Sequence, residues 1–174
     1  MSFSVKGDHL TRDDLDGLFN EYYPRLFNYV YYRTLNRAVA DDVTSTAMLN
    51  IVRAFDTFDA RKGNLDGWVY RITRNALYSY MRQSRETADI DGIPESLVAY
   101  TDDGFDLDDH GKLVRGLLEL LSGEERELVY LKYWEELSNK EIGERLGLNA
   151  STVSTKLWRA TNKMRGAMPD GEGF

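Results

Sequence analysis

A chain of 174 residues with 42% hydrophobic and 29% charged residues can bury a core and falls outside the disordered class. No apolar run approaches the roughly 20 residues of a membrane span, and MSFSVKGDHL at the start lacks the apolar stretch of a secretory signal. With no cysteine, disulfides and thiolate metal sites are excluded, so the expectation is a cytoplasmic protein without membrane insertion. The net charge of -7 argues against a nucleic-acid partner until it is divided along the chain. Residues 1–88 carry 12 basic and 11 acidic groups, residues 89–112 carry 1 and 8, and residues 113–174 carry 9 and 10. Almost the whole acidic excess therefore sits in one short segment.

The first flank reads as three helices. Thr11 and Asp14 form a capping pair ahead of Leu15, Leu18, Phe19 and Tyr22, and Pro24 marks a kink or a new helix start before Leu26, Phe27, Val30 and Tyr31. A second helix, roughly Ala38 to Phe55, buries Val39, Val43, Ala47, Ile51 and Phe55, with Asp41 and Asp42 complementing its positive N-terminus. The polar loop Asp56 to Asn64 leads into a third helix, about Leu65 to Arg85. From Ala60 to Arg85 there are six basic residues against Asp66 alone, interleaved with Trp68, Tyr70, Tyr78 and Tyr80. Basic side chains can track a phosphate backbone while aromatics stack on unpaired bases. Against that stands a packing role, with Trp68, Ile72 and Ala76 on one buried stripe and Trp68 partly covered. In either case Arg61, Lys62 and Asn64 should be exposed.

Asp, Glu and Gly crowd residues 89–112, which read as a flexible acidic linker; the register of a calcium-binding loop is not met. Beyond it a helix around Leu113 to Leu121 is apolar at Val114, Leu117, Leu118 and Leu121. Ser122 and Glu125 form a capping box for a helix through Tyr133 that buries Leu128, Leu131 and Tyr133. A second box, Ser138 with Glu141, starts a helix carrying Ile142 and Leu146, with Gly143 at a site of close backbone approach. Gly147 suits a left-handed C-terminal position and Asn149 the N-cap of the next helix. There Val153, Leu157, Ala160 and Met164 form the buried stripe, which turns Ser151, Thr155, Trp158, Arg159 and Asn162 outward. Four basic residues and no acidic one between Ala150 and Arg165 suit a helix lying in a major groove.

The fold expected is all-α: two small helical domains, residues 1–88 and 113–174, joined by the acidic linker 89–112. No metal, cofactor or catalytic role is expected, because His9 and His110 are the only histidines and neither sits in a ligand or nucleophile arrangement.

Together these blocks resemble a bacterial sigma factor of the sigma-70 superfamily, of the extracytoplasmic-function type. LSGEERELVYLKYWEELSNKEIGERLGLNASTVSTKLWRATNKMR is similar to its region 4, and FDARKGNLDGWVYRITRN to the loop and helix of region 2, with YYPRL and ADDV similar to earlier region 2 helices. The resemblance implies that Ser151, Thr152, Ser154, Thr155, Lys156, Trp158 and Arg159 meet the minus-35 element. It implies that Phe58, Asp59, Arg61, Lys62, Gly63, Asn64, Trp68, Arg71, Arg74 and Asn75 capture the unpaired minus-10 strand. Asp41, Asp42, Ser45, Thr46, Leu49 and Arg53 would contact RNA polymerase core. The implied partners are the clamp helices of the beta-prime subunit, the flap of the beta subunit, promoter DNA and, as an option, an anti-sigma protein. Four positions depart from the family pattern: Ser45 and Thr46 replace an acidic or amide pair, Ser79 replaces a common Asp, and Ser154 stands where a basic residue is frequent. The competing reading is a helix-turn-helix regulator that acts on duplex DNA without being a polymerase subunit.

Overall fold

The computed structural model describes residues 12–59, 61–91 and 109–168. Among them every regular element is helical: α1 (Arg12–Thr34), α2 (Arg37–Ala54), a 3-10 turn (Phe55–Thr57), α3 (Leu65–Asp91), α4 (Asp109–Glu119), α5 (Gly123–Tyr133), α6 (Asn139–Leu146) and α7 (Ala150–Arg165). The chain divides into two compact units, Met1–Tyr31 with Asn36–Thr101, and Tyr32–Leu35 with Asp102–Phe174. No helix among the described residues is long and apolar enough to cross a membrane.

In the first unit Leu18, Tyr22, Leu26, Tyr29 and Val30 of α1 are buried, together with the whole α2 stripe read from the sequence, Val39, Val43, Ala47, Ile51 and Phe55. Pro24 lies inside α1 and starts no new helix. The carbonyl it deprives of a donor belongs to Asn20, and both residues are exposed, so water can satisfy it. Phe19 departs from the expected core face; it is 50% exposed and stacks on Tyr23. The N-terminus of α2 is also built differently from expectation. Asn36 is the cap, accepting from the Val39 amide at 3.1 Å, and no acidic residue falls in the first turn. Asp41 sits one turn too late and pairs with Arg37 at 3.9 Å.

The buried register of α3 is Val69, Thr73 and Leu77, with Tyr70 beside them. Trp68, Ile72 and Ala76, the stripe expected, are one residue earlier and only half-buried. Thr73 made the shift hard to read, since its hydroxyl donates to the Val69 carbonyl at 3.0 Å and so can be buried inside the helix. The capping pair expected at Thr11, and residues 92–108 of the expected linker, lie outside the described residues.

The second unit is smaller. Leu117, Leu118, Leu121, Leu128, Val129 and Leu131 are buried, and Arg126 Nε donates to the Leu118 carbonyl at 2.8 Å across the α4–α5 turn. Tyr133, expected inside, is 57% exposed. Two residues beyond Leu131 it points roughly 200° away from it around the helix. Both capping boxes are present: Ser122 with Glu125 opens α5, and Ser138 with Glu141 opens α6.

Candidate nucleic-acid interface

The helix-turn-helix forms as read, including its turn. Gly147 takes φ 71°, in the left-handed region, and Asn149 caps α7 by accepting from the Thr152 amide at 2.7 Å. Gly143 is needed for a reason the sequence only hinted at. Its carbonyl accepts from the Leu148 amide at 2.8 Å, and a Cβ placed on it would lie 2.5 Å from the Leu148 carbonyl oxygen. The closest approach is thus made by the turn folding back on its own helix, with the Ala150 nitrogen at the start of α7 next, 3.6 Å from that Cβ.

Val153, Leu157, Ala160 and Met164 seat α7 against α5 and α6. Ser151, Ser154, Thr155, Trp158 and Arg159 consequently form an exposed face, with Trp158 66% exposed, while Thr152, Lys156 and Asn162 flank it half-covered. Two hydroxyls on this face already spend their protons. Ser151 Oγ donates to Asn149 Oδ1 at 2.8 Å and Thr155 Oγ1 to the Ser151 carbonyl at 3.0 Å. What each still offers is an acceptor lone pair, matched in a major groove by the amino groups of adenine or cytosine.

Both carboxylates of the capping boxes in this unit are held below the ordinary glutamate range. For Glu125, burial raises the carboxyl, and hydrogen bonds from Lys163 and Ser122 more than offset it. For Glu141 the Ser138 hydroxyl and amide are the main cause. A carboxylate depressed in the folded state adds stability above the ordinary value of 4.5 and loses it as pH falls through the folded value. The thermal midpoint of the second unit should therefore drop from about pH 4.5 downward, and Glu125→Gln should flatten that drop; an equally steep acid limb in the variant would contradict the assignment.

In the first unit the loop between α2 and α3 stands on an aromatic base. The rings of Phe55, Phe58 and Trp68 lie 5.4–6.5 Å apart by centroid, which leaves Phe58 and Trp68 half-buried. Asp59 organises the tip: it accepts from Arg61 Nε at 2.9 Å, Arg61 Nη2 at 3.0 Å and the Arg61 amide at 3.1 Å. Those bonds hold its carboxyl below the usual range. Arg61, Lys62, Gly63 and Asn64 are exposed, as expected. Asn64 has a second duty, because its Oδ1 accepts from the Gly67 amide at 2.7 Å and caps α3. Asn64→Ala should cost about 1 kcal/mol of stability and Asn64→Ser should recover most of it. Chemical denaturation of the three proteins checks this, and equal midpoints would remove the cap.

Arg71 and Asn75 are exposed on α3, whereas Arg74 is half-covered, with its guanidinium 5.2 Å over the Tyr78 ring. Asp66, the lone acid of the stretch, accepts from Tyr22 Oη at 2.6 Å and from Arg25 at 3.5 Å, tying the start of α3 to α1. Burial, then the Asp66 hydrogen bond, pushes the Tyr22 phenol well above its usual value, so it remains a donor at any physiological pH. The pairing of Tyr22 with Asp66 was not read from sequence, since a contact across 44 residues leaves no local pattern.

On α2, Asp41, Asp42, Ser45, Thr46, Leu49 and Arg53 are all exposed, Leu49 by 58%. Val52, 41% exposed on the same helix, was missed, although its place outside the buried register was a readable signal. A groove of about 350 Å³ between α2 and α3 is lined by residues including Thr46, Asn50, Asn75, Ser79 and Tyr80.

The second unit thus carries a helix-turn-helix, and the first a basic loop on an aromatic base. Sequence models of Sigma-70 region 2 and Sigma-70, region 4 match residues 18–87 and 112–164. The chain belongs to the sigma-70 superfamily and is an RNA polymerase sigma factor of the extracytoplasmic-function type. It is 26% identical over 157 residues to RNA polymerase sigma factor SigZ of Bacillus subtilis, covering 87% of this chain and 85% of that one. It is 24% identical over 169 residues to ECF RNA polymerase sigma factor BldN of Streptomyces coelicolor, covering 91% of this chain and 61% of BldN's length. In fold it is similar to the sigma factor RpoE of Bartonella quintana, solved with the anti-sigma factor NepR, with a TM-score of 0.71 at 24% identity over 88% of this chain and 96% of that one.

Proposed function

We propose that the protein binds RNA polymerase core in the cytoplasm, directs it to specific promoters and promotes strand opening, with no catalysis of its own. The observation that carries this reading is the presence in one chain of two separately built exposed surfaces suited to nucleic acid, the face of α7 and the basic loop ahead of α3. A helix-turn-helix regulator of duplex DNA has use for the first only.

In this reading α7 enters the major groove at the minus-35 element, with Ser151, Thr152, Ser154 and Thr155 toward base edges, Lys156 and Arg159 on phosphates or guanine, and Trp158 packed against sugar. Phe58 to Asn64, with Trp68, Arg71, Arg74 and Asn75, receives the unpaired minus-10 strand, offsetting the cost of unstacking with new stacking and hydrogen bonds. The exposed face of α2, Asp41 to Arg53, meets the clamp helices of the beta-prime subunit, and the second unit meets the flap of the beta subunit. An anti-sigma protein is the natural restraint on such a factor.

Permanganate footprinting of promoter complexes formed with core polymerase tests the division of labour. Reactive thymines should appear in the minus-10 region only when both core and this chain are present. A footprint that stays closed would sink the strand-opening role.

A further inference from the structure

Lys156 and Lys163 lie one heptad apart on the same flank of α7, the flank that faces a phosphate wall if the helix sits in a groove. Both are already met by carboxylates from the first turn of α5, and the two pairs are built differently. Lys163 Nζ lies 2.6 Å from Glu125 Oε1, and the same Glu125 accepts from the Ser122 amide at 2.8 Å, with its side chain only 17% exposed. That pair is a strut between α5 and α7. Lys156 Nζ lies 3.6 Å from Glu124 Oε2, and the side chains are 40% and 69% exposed. No hydrogen bond closes that pair, and water reaches both partners. By contrast, among the described residues no carboxylate pairs with Arg159.

We propose that Glu124 is an internal competitor for DNA: it occupies Lys156 in the free protein and must be displaced before Lys156 reaches a phosphate. Resting on the reading that α7 docks in a major groove, the proposal assigns the two lysines different fates. Every duplex that places a phosphate at Lys156 must displace Glu124, so the pair lowers affinity wherever that contact forms, and most where the α7 face holds the phosphate in register. Exposed ion pairs are weak, so the handicap is small for one encounter.

The test measures binding of the full chain to a minus-35 duplex and to a scrambled duplex across a salt series, for wild type, Glu124→Gln, Lys156→Gln and the double variant. Glu124→Gln should tighten minus-35 duplex binding by about two- to fivefold, the range of an exposed ion pair, and scrambled-duplex binding by no more than that. On the scrambled duplex its salt slope should steepen by up to about 0.9, as Lys156 side chains that stay on Glu124 in wild type reach phosphate. In the Lys156→Gln background the same change should do nothing. Unchanged binding in Glu124→Gln, or an equal gain with Lys156 absent, overturns the proposal, the second because it marks a general loss of negative charge. Arg159→Ala separates this from failure of the groove reading. If that variant leaves promoter binding intact, the docking face is wrong. If it weakens binding while Glu124→Gln is silent, only the role of Glu124 falls.

Discussion

Arg159→Ala should weaken binding to a minus-35 duplex by about 1–3 kcal/mol, or roughly 5- to 150-fold, and relax the preference at one base position. Arg159 is exposed beside Trp158 on α7, and its fork is not engaged by any carboxylate among the described residues. A planar guanidinium in that state can take O6 and N7 of a guanine together, a contact lysine cannot copy. Being exposed, it adds little to the fold, and the thermal midpoint should shift by no more than the usual surface substitution. Fluorescence anisotropy against the promoter duplex and its single-base variants reads the result. A uniform loss across sequences with a salt slope reduced by about 1 would mark a phosphate contact instead. Unchanged affinity and preference would remove Arg159 from the interface.

Gly143→Val should destabilise the second unit by about 1–3 kcal/mol, the scale of an overpacked site. Two effects oppose each other at this position. Replacing a helical glycine gains up to about 1 kcal/mol of propensity. The added Cβ, however, would lie 2.5 Å from a backbone oxygen of Leu148, and backbone in a capped turn cannot rotate aside as a side chain does. Relief requires opening the α6–α7 turn, which breaks the Leu148 to Gly143 hydrogen bond and tilts α7. Gly116 of α4 provides the opposite sign, since a Cβ there meets nothing within 4 Å. Gly116→Ala should be neutral or stabilising by up to about 1 kcal/mol. Urea titrations of both variants test the pair; a Gly143→Val protein as stable as wild type would show that the turn is not closed as described.

The second unit was legible because its signals are local. A capping box spans three residues, a left-handed glycine and an N-cap sit next to each other, and the stripe Val153, Leu157, Ala160, Met164 has no polar member to disguise it. The first unit was legible in α2 for the same reason and misread in α3, where Thr73 occupies the buried register and the larger Trp68 and Ile72 stand beside it. Of the two readings Pro24 allowed, a new helix start did not occur, because the cost of an interior proline depends on whether water reaches the freed carbonyl, a tertiary fact. In the candidate interface, exposure of Lys62, Asn64, Thr155 and Arg159 followed from pattern. The internal partners did not: Glu124 and Glu125 lie on α5, more than thirty positions from the lysines they meet. What the sequence presented as an acid-free basic helix is therefore, in the fold, partly neutralised along one flank.

Run-off transcription with purified bacterial core polymerase and a promoter library tests the central claim most directly. The chain should confer transcription from a subset of templates sharing minus-35 and minus-10 elements, core alone should give none of it, and Arg159→Ala should reduce it. No promoter-dependent transcript, together with tight duplex binding by the isolated chain, would contradict the sigma-factor account and leave a duplex-binding regulator in its place.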